Sequence, residues 1–186
     1  MQFKNVALFA AAAAAFPTER QVETPCKGDK FGLIAIHSGS PVQNTGITAA
    51  QGNLLIGGKN EATCDTKSDG FATFVINDDG EAYLYSTDNP PQQLYVDRSG
   101  MGQGKTGYTT GAQPAPKNGE RKGWSISDKG YLVFDGSSPK ACPANDGAYS
   151  IWFTDLEKPA YQDGCIGVAL KAIKSDKPNS CTYSSN

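Results

Sequence analysis

The chain has one histidine, His37, and two tryptophans in 186 residues. A single imidazole excludes a histidine-built metal centre, and any Ser-His-Asp arrangement has to use His37. No Gly-x-Ser-x-Gly elbow presents a nucleophile, no Cys-x-x-Cys pair suggests zinc, and no Asn-x-Ser/Thr acceptor for N-glycans occurs. An excess of either charge is also missing. Seventeen Lys and Arg face 19 Asp and Glu, a net charge of −2, so no broad field attracts nucleic acid or an anionic membrane. Charged residues make up only 19%, while 21 Gly and 11 Pro disfavour helical bundles, coiled coils and charge-rich disorder.

Long apolar runs are equally scarce. The one present, Val6 to Ala15, is ten residues long, about half of what spans a bilayer. Behind Lys4 and ending in Ala13-Ala14-Ala15, it reads as a secretory signal peptide over residues 1–15. Residues 16–30 read as a flexible leader, and residues 31–186 as a single β domain. The polar tail, Cys181-Thr-Tyr-Ser-Ser-Asn186, lacks a lipid-anchor signal, and no transmembrane anchor is expected.

The periodicity that is present belongs to strands. Segments 31–36, 54–56, 71–76, 82–85, 94–96, 124–126, 131–134, 149–153 and 168–173 are short, β-branched or aromatic, and bounded by turn residues. The class is all-β. Three segments share one plan of apolar residue, polar turn, glycine and apolar strand: 47–56 around Gly52, 76–84 around Gly80, and 126–134 around Gly130. Each predicts a hairpin, because the glycine supplies the positive φ of a tight turn. Three hairpins point to a β-trefoil-like closed architecture, with a two-sheet β-sandwich as the alternative.

Five cysteines in a chain routed to an oxidising compartment read as two disulfides and one free thiol. In a closed β domain the first strand lies antiparallel to the last, and setting Ile34 opposite Leu170 brings Cys26 toward Cys181. Cys142 and Cys165 flank the 149–153 strand and its loop and form the second pair, which leaves Cys64 as the free thiol.

Between Ser99 and Gly107 the chain imitates two phosphate sites, a Walker-like Ser99-x-x-x-x-Gly104-Lys105-Thr106 and a Gly102-x-Gly104-x-x-Gly107 fingerprint. Both need a helix immediately afterwards, and Tyr108 to Pro116 cannot form one. No cofactor is expected. The carboxylates Asp78, Asp79, Glu81, Asp97 and Asp163 are available for glycosidase chemistry, but the first two read as turn residues. The loop from Lys117 to Lys122 reads as a solvated basic patch. Most aromatic side chains in alternating strands fill a core; Trp124, Tyr83 and Tyr95 are the candidates for contact with a sugar.

Phe31-Gly-Leu-Ile-Ala-Ile-His-Ser-Gly-Ser40, the block from Tyr95 to Asn118, Gly123-Trp-Ser-Ile126, Ala141-Cys-Pro143 and Ser150-Ile-Trp152 together resemble the PhiA family of filamentous-fungal cell wall proteins. The resemblance covers nearly all of the chain after the apolar leader. It implies a secreted, wall-associated protein required for asexual development, in the phialide and the conidium, with a stress-protectant role. It brings no catalytic residues, and it implies recognition by human IgE; wall polysaccharides, chitin, β-glucan or mannan, are the expected partners. A carbohydrate-binding module and a small hydrolase are the alternatives.

Overall fold

The computed structural model describes residues 23–185, so the signal-peptide expectation for 1–15 lies outside the described residues. Strands β1 (Lys30–Ile36), β2 (Thr45–Ala50), β3 (Asn53–Ile56), β4 (Ala62–Cys64), β5 (Phe74–Ile76), β6 (Ala82–Leu84), β7 (Gln92–Asp97) and β8 (Lys105–Thr110) form the first half. The second half holds β9 (Gly119–Glu120), β10 (Trp124–Ile126), β11 (Tyr131–Phe134), β12 (Lys140–Pro143), β13 (Tyr149–Trp152), β14 (Ile166–Gly167), β15 (Ala169–Lys174) and β16 (Cys181–Tyr183). Two single-turn 3-10 helices, Asn145–Gly147 and Pro159–Tyr161, interrupt the pattern.

Pairing closes on itself. From β1 the ladder runs through β5, β6, β7 and β8 to β13 and β3, then returns through β2 to β1, an eight-stranded closed path. Closure removes the sheet edges that would otherwise invite pairing with other chains. The all-β, closed architecture is therefore the one expected. The three hairpins also form, as β2–β3, β5–β6 and β10–β11, and Gly52, Gly80 and Gly130 turn them at φ of 71°, 75° and 77°.

Alternation along each strand builds the interior. Phe31, Leu33 and Ala35 of β1, Phe74 and Ile76 of β5, Leu94 and Val96 of β7, and Leu170 and Ala172 of β15 all point inward, while the residues between them are part-exposed. Trp124, Phe134 and Phe153 meet edge-on or tilted at one end of this core, with centroids 4.9 to 6.1 Å apart.

β1 and β15 lie antiparallel, but the register differs by one from the expected one: Ile34 faces Lys171, and Leu170 faces Ala35. The cause is the pleat. Leu170 and Ala35 both belong to the core, whereas Ile34 points outward, and a one-residue slip would turn the core face of β15 to solvent.

The cysteines are also connected differently. Cys181 stands opposite Cys64 in the β4–β16 ladder and is bonded to it; the bridge is not the expected Cys26–Cys181 pair, and Cys64 is not the free thiol. Cys26 is the exposed free thiol. After Lys174 the chain leaves β1 and turns to β4, so the β1–β15 ladder does not continue to the terminus. Gln92, 1% exposed, secures that turn: its amide donates to Tyr183 O at 2.8 Å and accepts from Tyr183 N at 2.7 Å. The second bridge joins Cys142 to Cys165.

The described part of the expected leader is anchored to the barrel. Gly28 N donates to Ile76 O at 2.8 Å, Pro25 is buried, and Lys174 Nζ lies 3.3 Å from Glu23 and 3.2 Å from Asp29.

Candidate functional site

Outward-facing residues of β7, β8, β3 and β13 make a small lattice. Tyr95 pairs across to Gly107, and Gly107 to Asn53; one row along, Asp97 pairs to Lys105, and Lys105 to Trp152. In the middle of the lattice stands a residue with no side chain. A Cβ at Gly107 would lie 2.7 Å from both Gly52 O and Tyr95 Oη, so the phenol of Tyr95 occupies the space that a side chain would take. The surface above these strands is a groove made of two adjoining clefts of about 620 and 440 Å³ that share Asn53 and Lys105. Both volumes fall in the range of ligand sites.

Trp152 and Gln162 line the larger cleft. The indole N–H of Trp152 is committed to Ser150 Oγ at 2.8 Å, and Ser150 Oγ in turn donates to Cys142 O at 3.3 Å, so the ring is held in place, only 5% exposed beneath the cleft. Gln162 arrives on the loop between β13 and β14. That loop is fastened by the Cys142–Cys165 bridge, by Ala160 N donating to Gln103 Oε1 at 2.6 Å, and by the Lys158–Asp163 ion pair at 2.5 Å. Just before Gln162, Ala160 and Tyr161 both adopt left-handed φ, 50° and 59°, each at a cost of about 1–3 kcal/mol. The Gln162 side-chain oxygen is shut off from solvent with no hydrogen-bond partner.

Tyr95, Tyr108, Pro114 and Pro116 line the small cleft. Burial raises the pKa of both phenols, to about 12 for Tyr108, so each presents a neutral O–H. Tyr108 gives its proton to Ser184 O, tying the groove floor to the C-terminal strand.

The three aromatic candidates part ways. Trp124 is 1% exposed and packed on Phe134 and Phe153, so its candidacy for sugar contact is corrected: no ligand reaches it, because its strand turns it into the core. Tyr83 and Tyr95 are half-buried on one outward face, as diagonal neighbours across β6 and β7. Tyr83 donates to Glu81 Oε2 at 2.8 Å; burial first, and this bond second, push its pKa up to about 12. The same bond holds Glu81 below the usual carboxylate range. Arg121 reaches over this face to Gln93 and Thr109. Asn53, Lys105, Trp152 and Gln162 were not among the sequence candidates. The signal for Lys105 was the alternation Lys105, Gly107, Thr109, which marks a strand but lies inside the glycine-rich stretch.

The residues considered for catalysis are dispersed. His37 Nδ1 lies 2.5 Å from Gly167 O and latches the end of β1 to β14. Asp78 lies in the β5–β6 turn and receives Lys27 Nζ on its carbonyl, Asp97 Oδ1 accepts from Ser99 N, and Asp163 pairs with Lys158. Among the described residues no three His, Cys, Asp or Glu side chains gather as a metal site. The Walker-like stretch runs into strand β8, not a helix, and its glycines serve packing: a Cβ at Gly104 would lie 2.3 Å from Phe153 O. No helix among the described residues is long and apolar enough to cross a membrane.

No solved structure matches the chain. Relatives named cell wall protein phiA do. That of Aspergillus niger is 52% identical over the whole of both chains, and that of Aspergillus fumigatus 46% identical over 98% of this chain and 99% of its own. The Emericella nidulans protein is 48% identical over 87% of this chain and 90% of its own. The family model described as PhiA-like secreted protein matches residues 31–184, the span from the second residue of β1 to just beyond β16. This chain, a closed β-barrel with an outward groove and two disulfides, belongs to the PhiA-like secreted protein family.

Proposed function

We propose that this protein is a structural component of the fungal cell wall that acts in asexual development, supporting formation of the phialide and the conidium and the resistance of the wall to stress, without catalysing a reaction. The observation that carries this reading is the similarity over the full chain to proteins named for the cell wall. Its residues agree with the reading. The one imidazole is engaged by a backbone carbonyl, and the carboxylates considered for hydrolysis are distributed over turns and ion pairs. A closed barrel with two cross-links suits a protein that persists outside the cell. An IgE-reactive surface belongs to the same proposal.

Complementation of a strain that lacks the protein is the test. The wild-type chain and the His37→Ala chain are both expected to restore conidiation and to fractionate with the wall. Failure of the wild-type chain to enter the wall fraction refutes the structural reading; loss of conidiation by a stably folded His37→Ala protein refutes the non-catalytic part.

A further inference from the structure

We propose that the groove from Tyr95 to Trp152 binds a stretch of neutral polysaccharide several sugar rings long, lying across β3, β8 and β13. The inference rests on the wall reading above and gives it a ligand class and a site.

Shape is the first argument. The two clefts share Asn53 and Lys105 and form one trough, which suits an extended chain better than a compact metabolite. Its floor is the barrel wall, and its rim at Gln162 is fixed by the Cys142–Cys165 bridge. A site on a closed ladder needs little ordering when a chain settles into it.

Charge is the second. In the groove Lys59 and Lys105 are balanced by Glu61 and Asp146, so there is no net field for a polyanion. Glu61 is already committed, to Ser184 Oγ at 2.9 Å and to Lys59 at 3.9 Å. What the lining offers in number is amides: Gln51, Asn53, Asn145 and Gln162. An amide donates and accepts, as a sugar hydroxyl does, so each matches a ring that carries hydroxyls and no charge.

The third is the orphaned oxygen of Gln162. A shielded acceptor without a partner calls for an explanation, and a ligand hydroxyl is one: turning the amide toward the cleft gives the oxygen a donor. Beside it Trp152, 5% exposed and with its N–H spent on Ser150, packs beneath the cleft as part of its floor, and half-buried Tyr95 at the other end supplies the apolar surface on which the C–H face of a pyranose rests.

The experiment uses the mature chain carrying Trp124→Phe, so that Trp152 is the sole indole. Its fluorescence is titrated with a β-1,3-glucan hexasaccharide, a chitin hexasaccharide, a mannan oligosaccharide and, as the anionic arm, polygalacturonate. Saturable binding of at least one neutral glycan is expected, weakened tenfold or more by Asn53→Ala and by Gln162→Ala at unchanged melting temperature. Binding of none of the neutral glycans, binding of polygalacturonate alone, or variants that bind as the parent does overturns the proposal. Wall fractionation separates the two readings. A wild-type chain in the wall with both groove variants retained beside it refutes the groove and leaves the wall reading standing; a wild-type chain found only in the medium, yet binding a neutral glycan in the titration, refutes the wall reading and leaves the groove.

Discussion

Two residues show how a side chain's surroundings, and not its type, decide what it does here. Trp124 carries an indole N–H that is buried without a partner, so the ring contributes packing while its one polar atom works against it. Trp124→Phe removes the orphaned donor and keeps most of the contact with Phe134 and Phe153. It is expected to cost less than about 1.5 kcal/mol, against about 3–5 kcal/mol for Trp124→Ala, measured by urea denaturation. Gly107 behaves in the opposite way. A single methyl there meets backbone oxygen on one side and the Tyr95 phenol on the other, both at 2.7 Å, so Gly107→Ala is expected to cost about 1–3 kcal/mol and to expel Tyr95 from the groove floor. A rise in the accessibility of Tyr95 to nitration, read by peptide mapping, checks the displacement.

At the scale of elements, the two disulfides hold different things. Cys64–Cys181 joins strands β4 and β16 across 117 residues and backs up the Gln92 clamp, whereas Cys142–Cys165 spans 23 residues and fastens the loop that carries Gln162. In the chain-entropy model the longer loop constrains the unfolded state more, so replacing Cys64 and Cys181 by Ala is expected to lower stability by about 5 kcal/mol and replacing Cys142 and Cys165 by about 3 kcal/mol. The second replacement is the one expected to alter the groove. Non-reducing peptide mapping checks the connectivity: alkylation without reduction labels Cys26 alone.

The whole molecule's response to pH follows from a few paired groups. The Arg98 guanidinium, itself bonded to both Glu120 and Asp135, holds Glu120 below the usual carboxylate value of 4.5, and Tyr83 does the same for Glu81. Bonds from Cys26 N first, and Lys174 second, lower Asp29. A depressed folded-state pKa contributes stability that is complete above the unfolded value and is lost as pH falls through the folded one. The melting temperature is therefore expected to be level from pH 5 to 8 and to decline below about 4.5, modestly, because Glu120 is 42% exposed and screened by solvent. On the alkaline side the sign reverses. Tyr83 and Tyr108 ionise near 12 in the fold against 10 when free, so the stability they lend is present below pH 10 and disappears between 10 and 12. Absorbance of phenolate at 295 nm, followed with near-ultraviolet circular dichroism, tests this: both tyrosines should ionise together with unfolding.

Composition, the two-residue alternation and three glycine turns were enough to determine an all-β chain with hairpins at 47–56, 76–84 and 126–134, because these depend on neighbours within a few residues. The same local rules left β8 out of the strand segments. Lys105-Thr-Gly-Tyr-Thr-Thr110 carries strand-favouring Thr and Tyr, but Gly107 in its middle and the glycines before it mask the pattern, and its pairing with β7 on one side and β3 and β13 on the other is what makes it a strand. Burial of Trp124, bonding of Cys181 to Cys64 in place of Cys26, and the meeting of Tyr95, Asn53, Lys105, Trp152 and Gln162 in one groove were decided only by the tertiary structure. The reason is physical: barrel closure sets which faces turn inward and which distant strands become neighbours, and neither quantity is a property of any short stretch of chain.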